Sequence, residues 1–346
     1  MNKLRVGIIG AGGIAQYAHI PGYQKIEDVE VAALSDINRE TLKAAAAKFG
    51  VKKTYTDYRK MLATEKLDAV SVTTPNAHHA APTIAALKAG AHVMVEKPIA
   101  MNAAEGRQMV AAARKAKRLL MVAFNQRWSP ANQYLRREVE AGTLGDIYYG
   151  EAVYMRRSGI PGWGAFVDKK LSGGGPLIDV GVHMLDLALY LMGHPKPTAA
   201  FGGAYTAFGK RSDWFAGMGR WDAKKFSVED FGVGLVRFDT GAILLVKASW
   251  AANIGEDQHH VMLMGTDGGL NTSPPRVFRQ EQGALVDIAP QRLPNVDTYA
   301  EEMAQFVKAI REGKPSPVPG EHGLMATAIL DAIYQSAATG AEVAVK

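Results

Sequence analysis

A single lysine ends an otherwise apolar stretch in the segment Met94-Val95-Glu96-Lys97-Pro98. The run at residues 91–95 predicts a buried strand, and a charged residue seldom ends such a strand without a partner or a task. A glycine-rich turn that could hold a dinucleotide lies upstream, at residues 10–15. If the strand and the turn belong to one sheet, Lys97 projects toward whatever the turn binds. The chemistry that this arrangement indicates is proton transfer beside a nicotinamide ring.

The upstream turn, Gly10-Ala11-Gly12-Gly13-Ile14-Ala15, fits the G-x-G-x-x-G/A pattern of dinucleotide-binding folds. The first glycine allows a tight turn, the second lets the backbone approach a pyrophosphate, and a small third residue lets helix pack on strand. A turn that serves only packing would look alike, but this one follows a strand pattern and opens a helix. We expect the cofactor to be bound here by Gly10, Gly12, Gly13, Ile14 and Ala15.

Asp36 ends the second predicted strand, roughly twenty residues after the glycine turn, where a carboxylate accepts hydrogen bonds from ribose hydroxyls and repels a 2′-phosphate. Ile37 beside it carries no positive charge, whereas Arg39 is close enough to keep NADP open. We predict NAD, with Asp36 and Ile37 contacting it. The same carboxylate could also cap the helix that follows.

Polar residues also follow later strands of the same region. Thr73-Thr74-Pro75-Asn76 ends the third predicted strand, and ligands of doubly wound sheets bind beyond the carboxyl ends of strands. The alternative is a helix start capped by Asn76, with His78 and His79 on the surface. The further residues assigned to the cofactor site are Thr74, Pro75, Asn76, His79, Glu96, Lys97, Pro98 and Asn125.

A second group with chemical potential lies in Gly173-Gly174-Gly175-Pro176-Leu177-Ile178-Asp179-Val180-Gly181-Val182-His183. If Pro176 begins a helix, Asp179 and His183 lie one turn apart on one face. A histidine can take or return a proton at an alcohol, and a neighbouring carboxylate can fix its tautomer or bind a substrate hydroxyl. The alternatives are a metal site, for which one histidine is too few, and a capping Asp179 with a core histidine. We predict no metal.

Aromatic and arginine side chains near the proposed site suit the binding of a sugar ring, but they suit packing or a subunit interface equally well. The same alternatives hold for the loop that contains Trp214 and Trp221. The candidates for substrate contact, besides Lys97, Asp179 and His183, are Arg127, Tyr154, Arg156 and Trp163.

The predicted strands and helices that must position these residues follow a different order before and after about residue 125. Before it, strands rich in valine and isoleucine alternate with helices, which indicates a doubly wound parallel sheet covered on both faces. After it, longer alternating strands joined by turns such as Asp239-Thr240-Gly241 predict a mostly antiparallel sheet with helices on one face. We expect an NAD-binding Rossmann domain at residues 1–124. Residues 125–346 should form an α+β domain with a large, mostly antiparallel open sheet, for substrate binding and oligomerisation.

Composition narrows the classes of function. The chain has 346 residues, 47% of them apolar, and its 40 basic and 34 acidic residues give a formal charge of +6. The charges are scattered, which argues against nucleic-acid binding, and the absence of cysteine excludes disulfides and thiolate zinc sites. The basic start at residues 1–5 resembles a signal peptide, but the glycines that break residues 6–10 favour a first strand. We expect a cytoplasmic protein without a membrane span.

Taken together, these motifs resemble the glucose-fructose oxidoreductase / inositol dehydrogenase / MocA family. The segments that carry the resemblance are the glycine turn, Thr74-Pro75-Asn76, Glu96-Lys97-Pro98, and residues 173–183 continuing into Met184-Leu185-Asp186. The resemblance implies a Rossmann domain followed by an α/β domain whose open sheet often builds a homodimer or homotetramer. It also implies a pyranose or polyol substrate.

Carried over by position, the resemblance makes Lys97 and His183 the acid/base pair and Asp179 a substrate-binding or orienting carboxylate. Pro98 would shape the loop beneath the nicotinamide. The predicted function is hydride transfer between NAD and a hydroxyl or keto carbon of a sugar, anhydrosugar, inositol or related polyol. Two alternatives remain: an enzyme that cleaves glycosides through transient oxidation by bound NAD, and a non-catalytic regulator that senses the dinucleotide.

Overall fold

The chain divides into two compact units. The computed structural model describes residues 3–346; Met1 and Asn2, which begin the basic start and the expected first domain, lie outside the described residues. The first unit runs to Asn125 and also includes Asp297–Leu324, and the second comprises Gln126–Val296 and Met325–Lys346. Residues 297–324, which the rhythm of the sequence placed in the second region, therefore pack with the first unit.

Strands and helices are well separated along the described chain. The strands are β1 Leu4–Ile9, β2 Val29–Ser35, β3 Lys53–Tyr55, β4 Ala69–Val72, β5 His92–Val95, β6 Leu120–Val122, β7 Ile147–Met155, β8 Pro197–Tyr205, β9 Phe231–Phe238, β10 Ile243–Ser249, β11 Gln258–Gly265, β12 Gly268–Thr272, β13 Pro275–Glu281, β14 Ala284–Ile288 and β15 Val343–Ala344. The α-helices are α1 Ile20–Gln24, α2 Arg39–Phe49, α3 Tyr58–Thr64, α4 Ala80–Lys88, α5 Ala103–Ala116, α6 Pro130–Glu140, α7 Lys169–Ser172, α8 Val182–Leu191, α9 Thr298–Glu312 and α10 Gly320–Thr339. Shorter helical turns are π-helical at Ala15–His19 and Leu177–Gly181, and 3₁₀ at Asn76–His78 and Asn125–Trp128.

The sheet of the first unit is parallel throughout and has the strand order β3-β2-β1-β4-β5-β6. This order confirms the predicted Rossmann fold. Successive strands are added on one side from β1 to β3 and on the other side from β4 to β6, and such sheets bind ligands at the switch point between β1 and β4. Residues of β4 and β5 are buried almost without exception, as strands covered on both faces require. The edge strand β3 was not predicted, because its three residues carry no apolar pattern.

The sheet of the second unit has the order β14-β13-β12-β11-β7-β10-β9-β8-β15. Among the described strands of this second sheet, only β7 and β10 pair in parallel, so the predicted mostly antiparallel sheet is confirmed. Helix α8 packs on β7 and β11. Alternate residues of β9 are buried, and those between them are partly exposed, which leaves one face of the sheet open.

Local capping explains why several predicted helix ends agree with the structure. The Asn38 side chain accepts hydrogen bonds from the backbone N–H groups of Glu40 and Thr41 and so begins α2. Asn38 therefore caps α2, and the expectation that Asp36 could do so is wrong. Gly50, with a φ of +70°, ends the same helix in the left-handed conformation that suits glycine. No helix among residues 3–346 combines the length and hydrophobicity needed to cross a bilayer.

Candidate active site

The glycine turn lies at the carboxyl end of β1. Gly10 has a φ of +94°, and a Cβ atom there would lie 2.8 Å from the carbonyl carbon and oxygen of Thr73, so only glycine fits. The Thr73 hydroxyl stabilises the close contact between the two backbone segments by donating to the Gly10 carbonyl at 2.5 Å. A Cβ at Gly12 or Gly13 would meet nothing within 4 Å. The turn thus presents bare backbone to open space, as a site for a pyrophosphate requires.

Asp36 connects the end of β2 to that turn. One carboxylate oxygen accepts from the Ala11 backbone N–H at 2.8 Å, and the other accepts from the Asn38 backbone N–H at the same distance. The carboxylate is therefore fixed beside the glycine turn while remaining partly exposed. The next residue, Ile37, is 90% exposed and presents an apolar surface at this edge of the sheet. Two backbone donors leave lone pairs on the carboxylate for ribose hydroxyls.

His79 is fully buried, so the interpretation that placed it on the surface is wrong. Its Nδ1 lies 2.8 Å from the Pro98 carbonyl oxygen, and its Nε2 lies 2.8 Å from the Thr74 carbonyl oxygen. Burial lowers the pKa of His79, although the two backbone contacts oppose this. The ring joins the loop after β4 to the loop after β5. The His79 side chain therefore holds the two loops together, and both of its ring nitrogens are occupied by backbone carbonyls.

Glu96 and Lys97 follow β5 at the same edge of the sheet. One Glu96 carboxylate oxygen lies 3.0 Å from His19 Nε2, and the other accepts from the Lys97 backbone N–H at 3.0 Å. Burial acts to raise the pKa of Glu96, but the His19 contact and the positive charge of Lys97 outweigh it, so this pKa lies below its ordinary value. Lys97 itself is partly exposed, and its peptide bond to Pro98 is cis.

Asn125 follows β6, the last strand of this sheet, and is almost fully buried. Its side-chain nitrogen lies 3.4 Å from the Thr298 hydroxyl, and its side-chain oxygen has no hydrogen-bond partner among the described residues. A buried acceptor without a donor is costly in a folded protein. An amide donor of a ligand would satisfy it.

In the second unit, Asp179 and His183 share the accessible face of one helical segment. Between residues 177 and 189 these two side chains alone are not buried, as expected for residues one turn apart. The buried indole N–H of Trp250 donates to the Asp179 carboxylate at 3.1 Å. Trp250 follows β10 in the sheet on which this segment packs. The structure therefore supplies a fixed orientation for Asp179.

The start of that helical segment is held by Glu229, which sequence reasoning missed. Its carboxylate accepts from the Gly175 backbone N–H at 2.9 Å and the Leu177 backbone N–H at 3.3 Å, and from the Tyr334 hydroxyl at 2.7 Å. Burial raises the pKa of Glu229, although these hydrogen bonds oppose it. A side chain at Gly175 would collide with the Glu229 backbone. The run of glycines was the only sign of this close approach, because its partner lies far along the chain.

Arg127 forms a buried ion pair within the second unit. Its Nε donates to one oxygen of Asp186 at 2.8 Å, its Nη2 donates to the other at 2.5 Å, and both side chains are almost inaccessible. The guanidinium also lies over the Tyr190 ring. These contacts occupy the group that was expected to bind substrate, and they anchor the 3₁₀ turn before α6 to α8.

The remaining substrate candidates fall into two groups. Arg156 contacts the Tyr154 hydroxyl at 3.3 Å, and Tyr154 lies against the His259 ring. Trp163 is 54% exposed, and edge-to-face contacts through Phe166 link its ring to Trp250, the partner of Asp179. Of these side chains, only Trp163 offers a large free aromatic surface. Across the described part of the chain, no three His, Cys, Asp or Glu side chains form a group that could hold a metal ion.

Comparison with known proteins adds two family matches. Residues 4–124 match the model described as "Oxidoreductase family, NAD-binding Rossmann fold", and residues 132–271 match the "GFO/IDH/MocA C-terminal domain". D-glucoside 3-dehydrogenase of Escherichia coli (strain K12) is 37% identical over 99% of this chain and 97% of its own length. Myo-inositol 2-dehydrogenase of Thermotoga maritima is 29% identical over 93% of each chain. The solved structure of levoglucosan dehydrogenase in complex with NADH superposes with a TM-score of 0.85, at 25% identity and 99% coverage of both chains.

Proposed function

The chain belongs to the GFO/IDH/MocA oxidoreductase family, and from this premise we propose that it transfers a hydride between NAD and a hydroxyl-bearing carbon of a sugar, anhydrosugar, inositol or related polyol. Within this range we propose a D-glucoside as the first substrate to test, because the 37% identical relative is named for glucosides. The family resemblance, the enzyme class and the NAD-binding domain expected from the sequence are confirmed by the two family matches and the relatives.

The observation that carries the proposal is the gathering of three features at one edge of the first sheet. The open glycine turn, the carboxylate of Asp36 and the side chain of Lys97 all follow parallel strands at their carboxyl ends. A dinucleotide binds at such an edge. We propose that residues 1–124 bind NAD, and that residues 125–346 bind the substrate, with residues 297–324 supporting the first unit.

The chain fits NAD at several points. Gly12 and Gly13 would leave room for the pyrophosphate, Asp36 would accept hydrogen bonds from the ribose, and Ile37 would offer an apolar surface to the adenine. The side-chain oxygen of Asn125 suits the amide of a carboxamide group. When bound, NAD supplies the carbon that accepts the hydride. The further backbone contacts that we propose are those of Gly10, Ile14, Ala15, Thr74, Pro75, Asn76 and Pro98.

We propose that His183 removes the proton from the substrate hydroxyl during oxidation. Asp179, held by the Trp250 indole, binds a substrate hydroxyl or orients His183. The ammonium of Lys97 stabilises negative charge that develops on the alkoxide oxygen. In the reduction direction, the same ammonium can donate a proton to the carbonyl oxygen. Tyr154, Arg156 and Trp163 are the proposed contacts for the rest of the ring. We propose that the side chains of His79, Glu96 and Arg127 position their neighbours and do not contact cofactor or substrate, because each is held by protein partners.

A spectrophotometric screen tests this function. D-glucosides, anhydrosugars, inositols and other polyols are supplied with NAD or NADP, and formation of the reduced cofactor is followed. We expect turnover with NAD and at least one of these classes. Tight binding of NAD without turnover of any substrate would instead favour a regulator that senses the dinucleotide.

The similarity to a D-glucoside dehydrogenase also supports a second candidate, cleavage of a glycoside through transient oxidation. A keto group in the sugar acidifies the neighbouring C–H, which permits loss of the aglycone before the keto group is reduced again. Such an enzyme releases the aglycone without accumulating NADH. Chromatography of the products from a nitrophenyl glucoside, together with the NADH absorbance, separates the two reactions.

We also propose a homodimer or homotetramer formed through the open face of the second sheet. This face carries partly exposed apolar side chains on adjacent strands, namely Tyr149, Val233, Leu235, Leu245 and Met262. Glu151 lies between Leu245 and Met262 on this face, and Leu235 and Leu245 are direct neighbours. Exposed apolar side chains on an open sheet face support an interaction site. Sedimentation of the wild type and of Leu235→Glu tests it: we expect the charge to reduce the assembly size, and a monomeric wild type would exclude it.

We also propose a cytoplasmic location, which the dependence of the reaction on the NAD pool supports.

A further inference from the structure

Four polar side chains form a hydrogen-bonded chain in the core of the first unit. The Tyr23 hydroxyl lies 2.8 Å from the Ser71 hydroxyl, which lies 3.1 Å from His19 Nδ1. His19 Nε2 in turn lies 3.0 Å from the Glu96 carboxylate. Tyr23, Ser71 and His19 are fully buried, and Glu96 is almost so. Buried polar side chains of this number are unusual in the apolar core of a parallel sheet.

The geometry fixes one donor of the chain, because the ionised Glu96 carboxylate can only accept and His19 Nε2 must therefore carry the proton between them. When His19 Nδ1 carries no proton, it accepts from the Ser71 hydroxyl. The Ser71 oxygen then accepts from the Tyr23 hydroxyl. Every group is satisfied in this direction, with one negative charge at the Glu96 end. Hydrogen bonding from His19 is the main cause, against burial, of the lowered pKa of Glu96.

This chain does not lead to solvent. It ends at Tyr23, whose hydroxyl is enclosed and has the Met94 sulfur as its other neighbour. Burial raises the pKa of Tyr23, which makes its hydroxyl a poor proton donor to a relay. The chain therefore cannot deliver protons from the active site to water. Its other end matters instead, because the Glu96 oxygen not facing His19 accepts from the Lys97 backbone N–H at 3.0 Å.

We propose that His19 is a positioning residue for Lys97, a role that rests on the function proposed above for this lysine. By donating to one oxygen of Glu96, His19 fixes the carboxylate so that its other oxygen holds the Lys97 backbone. The fixed negative charge also attracts the Lys97 ammonium, to which it is electrostatically coupled. The effect of His19 on the reaction thus passes through Glu96, and it is confined to the placement of the lysine.

Two amide substitutions separate this role from simple packing. In His19→Gln, the side-chain nitrogen occupies the position of Nε2 and keeps a donor toward Glu96. In His19→Asn, the amide reaches only the position of Nδ1 and keeps the contact with Ser71. Both variants lose the ring, and Asn lacks one further methylene, so a role in packing alone predicts a larger stability loss for His19→Asn but equal kcat for the two folded proteins. Met61→Ala, in the core of the same unit, serves as a control for loss of stability alone.

Three measurements are made on the full chain: the NAD dissociation constant, kcat and KM on the best substrate, and hydrogen exchange of the Lys97 amide. For His19→Asn we expect kcat to fall about 100-fold, as for a misplaced catalytic group, with little change in NAD affinity. The Lys97 amide should lose protection. His19→Gln should retain most of both, and Met61→Ala should retain kcat.

Equal kcat and equal Lys97 protection in the two amide variants would overturn the positioning role. Lys97→Met, assayed alongside, distinguishes this failure from failure of the proposed function: full turnover of Lys97→Met, or none in the wild type, refutes the function. The exchange of the Lys97 amide still decides the role of His19 in that case. If His19→Asn does not fold, Glu96→Gln replaces it, because an amide cannot accept from both His19 and Lys97.

Discussion

The same added methyl group should destabilise the protein at one glycine of the cofactor turn and leave its stability unchanged at another. Gly10→Ala forces an L-residue into a φ of +94° and places its Cβ 2.8 Å from the Thr73 backbone. We expect a loss of at least about 1–3 kcal/mol in the free energy of unfolding from backbone strain. In Gly12→Ala the Cβ meets nothing within 4 Å. Its unfolding free energy should stay within about 0.5 kcal/mol of wild type.

Stabilisation by the cofactor should distinguish Gly12→Ala from the wild type. NAD at a hundred times its dissociation constant stabilises a native protein by about 2.7 kcal/mol, and a methyl group that weakens binding 100-fold reduces this to about 0.4 kcal/mol. Gly12→Ala should therefore be a stable protein that NAD hardly stabilises further. The assay is urea denaturation with and without NAD, supported by NADH fluorescence titration.

A matched control is Gly255→Ala in the second unit, which also adds a methyl group in open space. This variant should keep both its stability and its response to NAD. If Gly12→Ala gained as much stability from NAD as the wild type, the open space at the turn would not be the pyrophosphate site. The same result in an active enzyme would still mean that the pyrophosphate binds elsewhere.

Three further predictions concern other parts of the site. Trp250→Phe removes the donor to Asp179, so kcat should fall while NAD affinity is unchanged; steady-state kinetics with an NAD titration checks this, and an unchanged kcat contradicts it. Arg127→Met leaves Asp186 buried without its partner and should cost about 3–5 kcal/mol in urea denaturation, with KM unchanged in the folded enzyme; a raised KM at full stability would return Arg127 to substrate binding. The pKa of Glu96 lies below its ordinary value of 4.5, so the stability that ionised Glu96 contributes is present above pH 4.5 and is lost as the pH falls through the folded pKa. The unfolding free energy of Glu96→Gln, measured by urea denaturation at several pH values, should therefore decline less in this range than that of the wild type. Equal declines of the two proteins would contradict this.

The first sheet could be predicted from the sequence because its local patterns and its tertiary structure agree. Apolar runs such as residues 69–72 and 92–95 are buried on both faces, and Asn38 and Gly50 end their helix by local chemistry. Strands β12 to β14 escaped prediction, because β12 begins with two glycines, β13 begins with a proline, and nearly all residues of the three strands are partly or fully exposed. Their pairing comes from neighbours in the sheet rather than from their own pattern.

The site could be predicted at its backbone motifs but not in its supporting contacts. Gly10, Asp36 and Lys97 lie at one sheet edge, because parallel strands bring their carboxyl ends together. The partners of these motifs are far away in sequence: His19 reaches Glu96 across 77 positions, and Trp250 reaches Asp179 across 71. Spacing along the chain carries no information about such contacts.

We propose that Lys97 takes part in the chemistry and is not needed to bind the cofactor. Lys97→Met is compared with Lys88→Met, which removes an exposed lysine at the end of α4. NAD affinity and turnover of the best substrate are measured for both. We expect Lys97→Met to bind NAD like the wild type but to turn over very slowly, and Lys88→Met to be unaffected. Turnover of Lys97→Met near that of the wild type would contradict it.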